Sequence, residues 1–200
     1  LTTLIADNCK IGNEGMLRMA EAIEGTTSLL SLSLANEKEE IHKQRVDRNI
    51  FDDVAVSVLT DAIAKSRSLT SIDLSGNSVS SRALLPLSEA LRSVNGVRDV
   101  QASTSSSLPP PSASSSAFEH ISSAWEHPDA LRGSPGAVRC LKLRRCPLDP
   151  LAAQHLAHML ERNPALLGLD LSGSPILGAG IAEIAASMGG DPDVRRARNT

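Results

Sequence analysis

The sequence predicts an α/β repeat fold in which short strands alternate with helices, and three observations carry that prediction. An apolar motif returns on a 28-residue period, an amphipathic helix pattern follows it, and the apolar residues are almost all aliphatic. Of 200 residues 27 are Leu, whereas Phe51, Phe118 and Trp125 are the whole aromatic complement. A core must therefore be built from Leu, Ile, Val and Ala. That argues against aromatic-rich β-sandwiches, sugar sites with stacking platforms and single-strand nucleic-acid binders that need aromatic faces. A formal net charge of -3 gives no electrostatic reason to expect nucleic acid or an anionic membrane as partner. No apolar run is long enough for a membrane span, and the N-terminus has no basic-then-apolar signal layout. Three cysteines without a paired framework fit a reducing compartment, so a cytoplasmic protein is expected.

The strand motifs come first in each unit. Leu1-x-x-Leu4-x-Ala6-x-x-Cys9-x-Ile11 returns as Leu69-x-x-Ile72-x-Leu74-x-x-Asn77-x-Val79. It returns again as Val138-x-x-Leu141-x-Leu143-x-x-Cys146-x-Leu148 and as Leu166-x-x-Leu169-x-Leu171-x-x-Ser174-x-Ile176. Weaker copies start at Leu29 (Leu32, Leu34) and Val97 (Val100, Ala102). Six units are thus expected, starting near 1, 29, 69, 97, 138 and 166, with gaps of 28, 40, 28, 41 and 28. The two longer gaps are one period plus an insert.

A helix fills the second half of the unit. Gly15, Met19, Ala20 and Ile23 share one helical face, as do Ala55, Leu59, Thr60 and Ile63, and Ala83, Leu87, Ser88 and Leu91. The later sets are Ala152, Leu156, Ala157 and Leu160, then Gly180, Ile184, Ala185 and Met188. The small residue that opens each set lets the helix backbone lie close to its neighbour. One such unit cannot bury its own apolar face, so the units must stack. Each buried Leu then contributes roughly 1.5–3 kcal/mol.

This L-x-x-L-x-L-x-x-N/C-x-L pattern, followed by a helix on a 28-residue period, resembles the ribonuclease-inhibitor subclass of leucine-rich repeats, over nearly the whole chain outside the inserts. The resemblance implies a horseshoe-shaped solenoid with a parallel β-sheet on the concave face and α-helices on the convex face. It also implies that the ninth position satisfies backbone groups in the turn. That place holds Cys9, Glu37, Asn77, Ser105, Cys146 and Ser174; counted backward from Leu69, Asn49 takes it in the second unit instead of Glu37.

The chain starts on the first residue of a unit, and Val194-Arg-Arg-Ala197 repeats the pattern of Val97-Arg-Asp-Val100. A seventh strand is expected to begin there, and the array is expected to be a piece of a longer one. The insert over 37–48 mixes charges of both signs and reads as a solvated loop. The second insert, 103–116, has eight serines and three consecutive prolines and reads as disordered. After it, Phe118, Ile121 and Trp125 share one helical face.

Candidate chemistry is thin. There is no phosphate loop, nucleophile elbow or zinc-type Cys quartet. His155, His158 and Glu161 are spaced for a metal, yet they fall between apolar positions on the outer helix face, where an exposed polar stripe is the simpler account. Cys140 and Cys146 lack a metal-ligand spacing and a converging His, so neither is read as a nucleophile. No cofactor is expected. Strand alternation is more informative, because with Leu4 and Ala6 buried their neighbours Thr3, Ile5 and Asp7 must face the hollow. The equivalent triplets are Ser31, Ser33, Ala35; Ser71, Asp73, Ser75; Asp99, Gln101, Ser103; Cys140, Lys142, Arg144; and Gly168, Asp170, Ser172. Lys142, Arg144 and Arg145 form a basic stripe flanked by Asp99 and Asp170. Two readings stand: cross-strand neutralisation, or a polar strip for a partner's acidic segment.

The function expected is a non-enzymatic protein-binding module or scaffold acting through the concave sheet and rim loops. Its candidate residues are Asp73, Asp99, Gln101, Lys142, Arg144, Arg145 and Asp170. The partner is expected to be a protein, for instance a small GTPase or a cytoskeletal protein. The alternative is a GTPase activator similar to the Ran GTPase-activating family, with Arg45 and Arg48 of the charged insert as its weak candidates.

Overall fold

A computed structural model describes residues 1–36, 48–102, 138–163 and 165–188, with only the backbone given over 92–102. Five three-residue strands, β1 (Thr3–Ile5), β2 (Ser31–Ser33), β3 (Ser71–Asp73), β4 (Cys140–Lys142) and β5 (Gly168–Asp170), form one parallel sheet in chain order. Between and after them run α1 (Asn13–Gly25), α2 (Asp53–Lys65), α3 (Ser81–Ala102), α4 (Pro150–Arg162) and α5 (Gly178–Met188). The register is strict: Leu4, Leu32, Ile72, Leu141 and Leu169 lie side by side across the sheet. The helices pack on the face those residues define, each against the next in sequence. This is an α/β, leucine-rich-repeat-like fold.

The core repeats with the sequence. Leu34, Leu74 and Leu143 follow the strand centres and are fully buried. From the helices come Ala55, Leu59 and Ile63, then Ala83, Leu87 and Leu91, then Ala152 and Leu156. A second helical row adjoins them: Met16, Val56, Leu84 and Ala153 are at most 1% exposed. The small-residue position behaves as its chemistry requires. A Cβ on Gly180 would sit 2.8 Å from both the Ala153 Cβ and the Ile176 side chain. Close approach of α5 to α4 thus depends on glycine there. At the last described helix the pattern opens, since Met188 is 65% exposed where Ile23, Ile63 and Leu91 are buried.

The turns after the strands also repeat. The eighth position of the motif is left-handed in Asn8, Gly76, Arg145 and Gly173, with φ between 53° and 72°. At Gly76 a Cβ would clash with the Asn36 carbonyl oxygen, so sterics and backbone angle both demand glycine. The ninth position then reaches back to the preceding coil. Asn49 donates to the Ala6 carbonyl at 3.0 Å, Asn77 to Leu34 at 2.9 Å, and Ser174 to Leu143 at 2.7 Å. The Cys146 thiol takes the same role toward Leu74 at 3.5 Å. Asn49 therefore occupies the ninth place of the second unit. Its Oδ1 also accepts from the Cys9 and Ile11 amides, each at 3.1 Å.

The fourth unit departs from expectation. Residues 97–102 are the last turns of α3, not a strand, and β3 pairs directly with β4. The reason lies in the spacing: Val97 and Val100 are i,i+3, which serves a helix face as well as a strand motif. The described sheet accordingly has five strands where six were expected. The insert over 103–116, the Phe118–Trp125 face and the strand expected at Val194 lie outside the described residues, as does 37–47 of the charged insert.

Candidate functional site

On the sheet face turned away from the helices, the side chains are those that alternation places there. Thr3, Ser31, Ser71, Cys140 and Gly168 form one lateral row; Ile5, Ser33, Asp73, Lys142 and Asp170 form the next. Most are short and half-buried, because parallel strands set neighbouring side chains about 5 Å apart. Cys140 is an exception to the expected exposure. It is 1% exposed, and burial pushes its thiol above the ordinary range, so it offers no nucleophile to this face.

The charges fall into a short ladder. Lys142 Nζ lies 3.6 Å from Asp73 Oδ2, and Arg144 Nε lies 3.7 Å from Asp170 Oδ2. The same aspartates brace their own turns: Asp73 Oδ1 accepts from the Ser75 amide at 3.0 Å, and Asp170 Oδ1 from the Ser172 amide at 2.9 Å. Each carboxylate is thereby aimed at its cation. The pairs are partly exposed, and such pairs contribute roughly 0–1 kcal/mol, too little to explain the fold. Arg145 stands beside them in a left-handed turn with φ 54°.

Of the predicted residues the structure brings together Asp73, Lys142, Arg144 and Asp170, with Arg145 next to them. Asp99 and Gln101 belong to the C-terminal end of α3, where the backbone alone is described. Asp73 supplies a carboxylate beside Lys142, because β3 and not residues 97–102 adjoins β4. Sequence reasoning overlooked Asp7 as a tie between the first coils. Its Oδ1 accepts from the Ser33 hydroxyl at 2.6 Å and the Ala35 amide at 2.8 Å. The available signal was its place in the third inward-facing position of the first triplet.

On the helix side, His158 Nδ1 lies 3.7 Å from Glu161 Oε2. Among the described residues no group of three or more His, Cys, Asp or Glu side chains is arranged to hold a metal ion. Cys146 is buried, and loss of water around its thiol pushes its pKa to about 11, as suits a structural turn residue. Among the described residues no helix is long and apolar enough to cross a membrane.

No protein-family model matches the chain, and no curated protein matches its sequence. Solved structures do match its fold. The actin-binding site 2 of leiomodin-1 superposes with a TM-score of 0.60 at 17% identity, covering 99% of this chain and 84% of that one. The tropomodulin C-terminal domain of Caenorhabditis elegans superposes with a TM-score of 0.56 at 16% identity, covering 100% and 89%. At such identities the likeness is one of fold.

Proposed function

We propose that this chain is a non-enzymatic protein-binding module of the ribonuclease-inhibitor-like repeat class, working in the cytoplasm with a cytoskeletal protein as partner. The observation that carries the reading is the open sheet face. A regular frame, fixed by buried Leu, Ile and Asn residues, holds short polar side chains and one charge ladder in place, all reachable by an extended surface. Little conformational entropy is left to lose on binding, because these side chains are short or already held by ion pairs. The 28-residue period with a helix in each unit supports the subclass. Actin is the first partner to test, since the matching domain of leiomodin-1 is an actin-binding site. No observation favours the GTPase-activating alternative: Arg45 lies outside the described residues, and Arg48 is a solvent-exposed residue beside Asn49.

The test is co-sedimentation of the full chain with actin filaments, together with calorimetric titration against monomeric actin. Binding to either form that is saturable and weakens with added salt supports the reading, because the proposed contact is polar. Absence of binding to both contradicts actin as the partner.

A further inference from the structure

The opposite side of the molecule carries a second feature, independent of the open sheet face. Neighbouring helices are tied across most of their seams. Lys65 of α2 meets Glu24 of α1 at 2.8 Å, Ser80 at the start of α3 meets Asp53 of α2 at 2.6 Å, and Gln154 of α4 meets Glu183 of α5 at 3.4 Å. Between α3 and α4 the described polar tie, Ser81 to Asp149 at 3.1 Å, lies at the helix starts. Further along this seam a half-open groove of about 350 Å³ remains. Its floor is Met159 and Ser88, both buried, and one wall is Leu85, which is 44% exposed. Glu89, His155 and His158 also line it. Among the described residues no lysine or arginine lines it, and Glu89 makes no ion pair there.

We infer that this groove is a docking site for a basic segment of a protein partner, taking one Arg or Lys side chain at a time. The chemistry of the lining selects that occupant. The apolar Met159 and Leu85 suit the methylene stem of a long cation, while the Glu89 carboxylate meets its charge. The volume is that of a side-chain pocket, at the small end of ligand sites. Helix α1 shows the contrast: Glu21, at the position equivalent to Glu89, is already paired with Arg18 at 3.2 Å.

The experiment is an amide NMR titration of the ¹⁵N-labelled full chain with three probes: N-acetyl-arginine amide, N-acetyl-norleucine amide and N-acetyl-glutamate amide. Saturable shifts at Leu85, Ser88, Glu89 and His158 with the arginine probe are expected. Glu89→Gln, an exposed change that leaves the core intact, should weaken that probe at least about fivefold, as loss of a charge-assisted contact does. Equal binding of the norleucine probe would overturn the inference by making the groove merely apolar. Preference for the glutamate probe would overturn it by making the histidines the recognising groups. Unchanged arginine binding in Glu89→Gln, or no shift with any probe, would also overturn it.

Discussion

At the scale of single residues, the ninth position of the motif decides more than its modest size suggests. The Asn49 side chain accepts two backbone amides and donates to two carbonyls, with the residue 4% exposed. Asn49→Ala strands those buried groups and should cost more than about 3 kcal/mol, read as a shift in the urea midpoint. The thiols give a second check. Cys9 is exposed, while Cys140 and Cys146 are buried with raised pKa values. At neutral pH a thiol reagent should modify Cys9 alone in the native chain and all three cysteines in guanidinium. The sign of the pH effect follows from the raised pKa of Cys146. Its stabilising contribution is complete below the ordinary thiol value of 9.0 and is lost as pH rises toward about 11. An alkaline fall in melting temperature, reduced in Cys146→Ala relative to that variant's own neutral value, is the expected result.

At the scale of elements, α2 and α4 start on aspartate caps, Asp52 and Asp149. The Asp149 side chain accepts from the Ala152 amide at 2.7 Å, and Pro150 follows at the first helical position, where no amide is needed. Asp149→Ala should lower stability by about 1 kcal/mol, with Asp149→Asn recovering most of it in the same thermal melt. Most elements were legible because repetition multiplies a weak signal. Asn49 could be placed by counting back from Leu69, and Ala55, Ala83 and Ala152 could be placed as close-packing points. The element that was not legible, at 97–102, shows the limit. An i,i+3 pair of valines fits both periods, so the choice between strand and helix falls to tertiary packing. That single ambiguity hid the adjacency of β3 and β4. Burial of Cys140 was likewise invisible, since alternation gives a side chain's direction and not what covers it. The Leu85–Glu89 groove arises between two helices separated in sequence by residues 103–149, and no local pattern announces such a seam.

At the scale of the whole molecule, parallel strands in chain order place every sequence-equivalent side chain in a lateral row. Function therefore reads across units and not along them. The row Asp73, Lys142, Asp170, joined by Arg144, is the most specific chemistry on the open face. Its internal pairing gives it a structural explanation as well as a functional one, and one exchange separates the two. Swapping the pair, Asp73→Lys with Lys142→Asp, keeps a cross-strand ion pair, loses the Asp73–Ser75 contact at about 1 kcal/mol, and inverts the pattern shown to a partner. The deciding measurement is the affinity of the swapped full chain for actin beside its melting temperature. A binding face requires affinity to fall at least about tenfold, or roughly 1.4 kcal/mol, while the melting temperature stays within a few degrees. Unchanged affinity would contradict the account, because the open sheet face would then carry no recognition.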